Sequence, residues 1–170
     1  EPAPDLASDN RAPAVVFGHQ IALSDLDVSV AQAPPADRLV VECAWRALRR
    51  PDADYTVFLH LLSGQGVRVA QHDGQPLAGN WPTGLWAGGE TLLDRHELSL
   101  PGDLAPGRYT LAIGLYVYPS GHRLEPTDSQ APVSGDAALF AVDLSEGVLM
   151  AAHRSGDAAP TQTAPRSAGS

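Results

Sequence analysis

Arg108-Tyr109-Thr110-Leu111-Ala112-Ile113-Gly114-Leu115-Tyr116-Val117-Tyr118 is the stretch whose reading decides the fold. Tyr109, Leu111, Ile113, Leu115 and Val117 fall on one side of an extended chain, and Thr110, Ala112, Gly114, Tyr116 and Tyr118 on the other. That is the period of two of a strand, not the 3.6 of a helix. One side is a continuous apolar stripe. The other is built of small residues and ends in two aromatics, so both faces are expected to be covered.

The alternation recurs towards the N-terminus. Leu39, Val41, Cys43, Trp45 and Ala47 share a face opposite Glu42 and Arg46, and Tyr55, Val57, Leu59 and Leu61 repeat the pattern. Candidate strands are Val15–Phe17, Ile21–Val30, Leu39–Leu48, Tyr55–Leu62, Val67–His72, Leu92–Leu100, Arg108–Tyr118, Ala138–Leu144 and Val148–Ala151. Between them lie Pro34-Pro35, Arg50-Pro51-Asp52, Ser63-Gly64-Gln65-Gly66, Pro101-Gly102-Asp103, Pro106-Gly107 and Pro119-Ser120-Gly121. These residues preset φ or tolerate positive φ, as tight connections require. Short strands joined by tight turns, without the helical crossovers that parallel strands need, predict an all-β antiparallel sandwich of about eight or nine strands, jelly-roll or immunoglobulin-like.

Composition bounds the function. The 170 residues suit one domain, and a hydrophobic content of 44% is enough for a core. A formal net charge of -9, with all 11 basic residues arginine, leaves no cationic patch with which to displace counterions, so nucleic acid is excluded as a partner. Cys43 is the single cysteine, so neither an intrachain disulfide nor a thiolate cage forms, and its place in the strand pattern marks it as a small core hydrophobe. No run of about 18 apolar residues exists to span a membrane. Residues 1–14 read as a linker or processed segment, 15–152 as the sandwich, and 153–170 as a flexible low-complexity tail without an anchor able to offset ordering entropy. Pro126 to Asp136 reads as a long surface loop.

Three groups of residues carry possible chemistry. His60, His72 and His96 with Asp73 and Asp94 are the imidazoles and carboxylates of a metal or acid–base cluster, although their spacing fits no motif. Asp73 and Asp94 are the weakest of candidates for a calcium site, since no Asp-x-Asp-x-Asp loop accompanies them. Asp94 also sits among Leu92, Leu93 and Leu98, where an acid must be solvated or paired. No Gly-x-Ser-x-Gly elbow and no phosphate loop is present, so no catalytic residues and no cofactor are expected.

The third group is aromatic. Gln71 to Glu90 is too apolar for a tether and too broken for a helix, which predicts an ordered flap on the β scaffold. Trp81, Trp86, Tyr116 and Tyr118 are candidates for a platform on which a saccharide ring stacks, with His72, Gln75 and Asn80 on its rim. The competing reading folds Trp81 and Trp86 inward to plug one edge of the sandwich.

Phe17-Gly18-His19-Gln20-Ile21, Asp54-Tyr55-Thr56-Val57-Phe58-Leu59-His60-Leu61, Gln71-His72-Asp73-Gly74-Gln75-Pro76, Trp81-Pro82-Thr83, Trp86-Ala87-Gly88-Gly89, Asp94, Leu104-Ala105-Pro106-Gly107-Arg108-Tyr109 and Gly114-Leu115-Tyr116 together carry a resemblance. Over Val15 to Leu124 the chain resembles a bacterial β-sandwich domain appended to multi-pass membrane glycosyltransferase-like proteins, especially in Chloroflexi. The chain departs from that pattern at His19, where an acid is usual, and at Gly88, where proline is usual. The resemblance implies an extracytoplasmic, membrane-associated accessory module without chemistry of its own, facing a glycan or lipid-linked sugar. Two functions stay open: a carbohydrate-binding-like module, and a structural sandwich packed on a protein partner.

Overall fold

The computed structural model describes residues 14–33, 35–145 and 148–150. Its strands are β1 (Val15–Phe17), β2 (Ile21–Ala31), β3 (Arg38–Ala47), β4 (Tyr55–Leu62), β5 (Arg68–Gly74), β6 (Thr91–Ser99), β7 (Gly107–Val117), β8 (His122–Arg123), β9 (Pro126–Ser129), β10 (Val133–Ser134), β11 (Ala137–Ser145) and β12 (Val148–Met150). Short 3-10 turns occupy Pro76–Gly79 and Thr83–Leu85. Every strand pairing is antiparallel. One sheet runs β6-β3-β2-β1-β9, and the other runs β10-β11-β7-β4-β5 with β12 beside β11 and β8 beside β7. The protein is an all-β antiparallel sandwich.

Alternation builds the core. On β3, Leu39, Val41, Cys43, Trp45 and Ala47 are buried, and on β7 so are Leu111, Ile113 and Leu115. Cross-strand register keeps like faces together: Val28 lies opposite Val41, and Leu59 opposite Ile113. The small-residue face of β7 is covered too. Phe58, Ala112 and Ala137 cluster there with Leu62, Tyr116 and Leu139, and the Arg123 guanidinium stacks 4.3 Å from the centre of the Phe58 ring. Gly114 is required at that spot by space, because a β-carbon on it would overlap the Phe58 ring and lie 2.9 Å from the Asp136 carbonyl oxygen.

Two expectations are corrected. Pro126 to Asp136 is not one surface loop: it contains β9, which pairs with β1 and closes an edge of its sheet, and β10, which pairs with β11. Pro-Thr-Asp-Ser has no apolar alternation, because an edge strand buries little and tolerates a proline that lacks an N–H. The flap is also shorter than expected, since β5 continues to Gly74. Of the segment read as a linker, Ala14 is buried and bonded to Leu23 and Gln130; the rest of it, and the 153–170 tail, lie outside the described residues. No helix among the described residues is long and apolar enough to cross a membrane. His19 takes φ 55, a left-handed conformation that Asn, Asp and His adopt more readily than most residues.

The topology leaves β6 at one end of its sheet and β5 at one end of the other, and these two edge strands pack against each other. That seam positions the site described next. Gly114→Val should destabilise the fold by about 1–3 kcal/mol through overpacking, and the same substitution should cost less in a Phe58→Ala background. Urea unfolding of the single and double variants measures both.

Candidate functional site

On β6, Leu92, Asp94, His96 and Leu98 lie opposite Trp45, Cys43, Val41 and Leu39 and share their inward face. Strand periodicity therefore drives a carboxylate and an imidazole into the interior together. The two side chains are 0% and 3% exposed, with His96 Nε2 2.6 Å from Asp94 Oδ2. The remaining lone pairs of the carboxylate are taken up by Trp45 Nε1–H at 3.1 Å, the Leu77 N–H at 2.9 Å and the Arg95 N–H at 2.9 Å. A charge so removed from water persists only with such partners. Burial pushes the Asp94 carboxyl up, but the hydrogen bond and charge of His96, the Leu77 amide and the Trp45 indole outweigh that and hold it below its ordinary value. An ionised carboxylate only accepts, so Nε2 of His96 carries the proton and, in the neutral ring, the lone pair falls on Nδ1.

The Leu77 amide is supplied by a strained turn. Leu77 and Ala78 have φ of 55° and 54°, and Gly79 follows at 81°. Left-handed backbone at residues other than glycine costs on the order of 1–3 kcal/mol each and persists where surrounding contacts over-determine it. Here Asp94 grips the turn from below. The flap beyond is pinned as well: Thr83 Oγ1 accepts the Tyr55 N–H at 2.8 Å and donates to the Ala53 carbonyl at 2.6 Å, while the Gly84 N–H donates to Asp54 Oδ1 at 3.0 Å.

Above this network a groove of about 580 Å³ runs between the two edge strands, lined by His72, Gly74, Gln75, Ala78, Gly79, Arg95, His96 and Glu97. The His72 and His96 rings are 5.3 Å apart. Burial, reinforced by the nearby His96, lowers the pKa of His72. Arg95 and Arg38 both pair with Glu97, at 3.0 and 2.9 Å.

The predicted residues divide between places. His72 and Gln75 line the groove, and Asn80 is exposed just beyond the strained turn. Tyr116 and Tyr118 belong to the opposite face of the second sheet, where the Tyr116 hydroxyl donates to Asp73 at 2.8 Å and Tyr118 is 75% exposed. Trp86 is corrected as a stacking residue: it is 1% exposed within the core cluster, and its Nε1–H is satisfied by the Trp81 carbonyl at 2.9 Å. The inward-plug reading holds for Trp86, whereas Trp81 is 40% exposed. The four aromatics thus form no single platform.

The imidazole and carboxylate cluster divides in the same way. His60 lies outside the core beside Phe58, and Asp73 faces oppositely to its strand neighbour His72, onto the outer face with Tyr116, so an Asp73–Asp94 calcium site is corrected. Among the described residues, no group of three or more His, Cys, Asp or Glu side chains converges on one point. The sequence groups His72, His96 and Asp94 with His60 and Asp73 in one cluster, and the structure brings only the first three together. The Asp94-x-His96 spacing on one strand face was the signal available; the contribution of Leu77 and Gly74 had none.

No family model matches the chain, and no curated protein does. Nine chains of solved structures match. One is described as the structure of a beta-glucuronidase from glycoside hydrolase family 2, 9% identical, with a TM-score of 0.49, covering 69% of this chain and 11% of that one. The chain spans 11% of the length of that enzyme chain.

Asp94→Ala should destabilise by about 3–5 kcal/mol, because it leaves the Trp45 indole and the Leu77 amide buried without an acceptor. The sign of the pH dependence follows from the depressed pKa: the Asp94 contribution is present above the unfolded value of about 3.9 and is lost as pH falls through the folded value. Asp94→Asn should therefore flatten the acid limb of a stability–pH curve. Trp86→Ala should cost about 3–5 kcal/mol and Trp81→Ala less than about 1, with unfolding midpoints as the readout.

Proposed function

We propose that this chain is a non-catalytic, extracytoplasmic recognition module that binds a saccharide in the groove between β5 and β6. The observation that carries the reading is the groove itself. It is open, of a size suited to a small ligand, and lined by donors and acceptors held on edge strands by a buried network. His72, Gln75, Arg95 and Glu97 supply the mixed donors and acceptors that hydroxyl groups require, and the same turn that presents Ala78 and Gly79 leads directly into Asn80 and exposed Trp81.

The groove lining holds no Ser, Thr or Cys side chain beside the Asp94–His96 pair, and its carboxylate, Glu97, is engaged by Arg38 and Arg95. Burial drives the Cys43 thiol far up, away from reactivity. The extracytoplasmic, membrane-associated placement rests on the resemblance carried by Val15 to Leu124.

A second reading, a structural sandwich that docks a protein, is favoured by exposed Leu85 and Tyr118 and by Trp86 serving as a plug. Titration calorimetry against an oligosaccharide panel, run with a chelator present, separates the two. The module reading expects one saccharide per chain with affinity falling at least about tenfold in Gln75→Ala and in Trp81→Ala, a loss of about 1.4 kcal/mol. Binding by no member of the panel, or binding indifferent to both substitutions, contradicts it.

A further inference from the structure

His96 presents a nitrogen that no group among the described residues uses. Its Nε2 is committed to Asp94 at 2.6 Å within a side chain that is 3% exposed, so Nδ1 carries the free lone pair, and the residue is part of the groove lining beside Gly74. His72 comes from the other sheet and turns inward towards it, because it lies opposite Leu59 on the core-facing side of β5. A methyl group placed on Gly74 would lie 3.0 Å from His72 Nε2 and 3.5 Å from His96 Nδ1. Two imidazole nitrogens from two sheets therefore look onto one small space. Among the described residues neither nitrogen has a hydrogen-bond partner.

Gly74 explains why the space is open. Its backbone does not occupy the left-handed region, so no turn geometry demands glycine there. What glycine supplies is the missing β-carbon. The arrangement of Asp94, His96 and the open space is the one that metal-binding histidines adopt, with a carboxylate accepting one ring N–H, fixing the tautomer and orienting the other nitrogen outward.

We propose that His72 Nε2 and His96 Nδ1 together hold one divalent transition-metal ion in the space above Gly74, with Asp94 as the positioning residue behind His96. Imidazole donors select ions such as zinc, nickel and copper over calcium or magnesium. The protein supplies two donors, since no third His, Cys, Asp or Glu converges among the described residues. The remaining positions face the groove and are left to water or to an oxygen of a bound molecule. The inference stands apart from saccharide recognition, which is tested with a chelator present.

Calorimetric titration of the tag-free protein with zinc chloride, and separately with nickel chloride, tests it. One ion should bind per chain. His72→Gln, a half-buried change with little effect on folding, should reduce affinity at least tenfold. Gly74→Ala, which keeps both histidines in the chain but fills the space between them and presses on His72 Nε2, should do the same. Asp94→Asn, checked for folding by circular dichroism, should weaken binding about 10- to 100-fold without removing a ligand. Absence of binding by the parent protein up to about millimolar metal, a range expected of adventitious single-histidine contacts, overturns the proposal. So does binding that survives both His72→Gln and Gly74→Ala unchanged.

Discussion

The arrangement depends on a carboxylate placed where carboxylates are costly. Asp94 sits on the core face of an edge strand with its side chain fully buried, and it is tolerated because an indole, an imidazole and two backbone amides converge on its oxygens. Each of those donors belongs to a different task. Trp45 is one of two fully buried core tryptophans, where it packs near Phe17; Leu77 opens the strained turn; His96 lines the groove. One interaction therefore couples core packing, loop conformation and site chemistry, so that disturbing any of them is felt by the others.

Strain and charge offset one another at this point. A turn holding Leu77 and Ala78 in left-handed conformations would relax in a free peptide. The buried carboxylate would be unstable without the Leu77 amide. Each makes the other tenable, and the result is a rigid wall on one side of a groove whose opposite wall is the edge of the second sheet. Rigid elements of this kind suit recognition, because the polar groups are already placed when a ligand arrives.

Much of the architecture was legible in the chain, and particular residues show why. Leu111, Ile113 and Leu115 alternate over a long enough run that only an extended, two-layered arrangement buries them, and register then follows from the need to keep every apolar side chain inward. β9 was not legible, since Pro126–Ser129 gains its place by closing an edge and not by burying a stripe. The site was half legible. His72, Asp73 and Asp94 stood out as chemically notable, but their separation into groove, outer face and core depends on which strands become neighbours. Trp86 and Trp81, five residues apart in the same flap, have opposite fates for the same reason: the first packs into a core whose shape local sequence does not describe.

The account turns on the tautomer of His96, because the directed lone pair exists only if Asp94 holds the proton on Nε2. Long-range proton–nitrogen correlation spectra of the imidazoles at mildly alkaline pH report this directly. The account predicts a His96 ring with a slowly exchanging proton on Nε2 and an unprotonated Nδ1. A proton on Nδ1, or a ring that samples both tautomers in fast exchange, would contradict it.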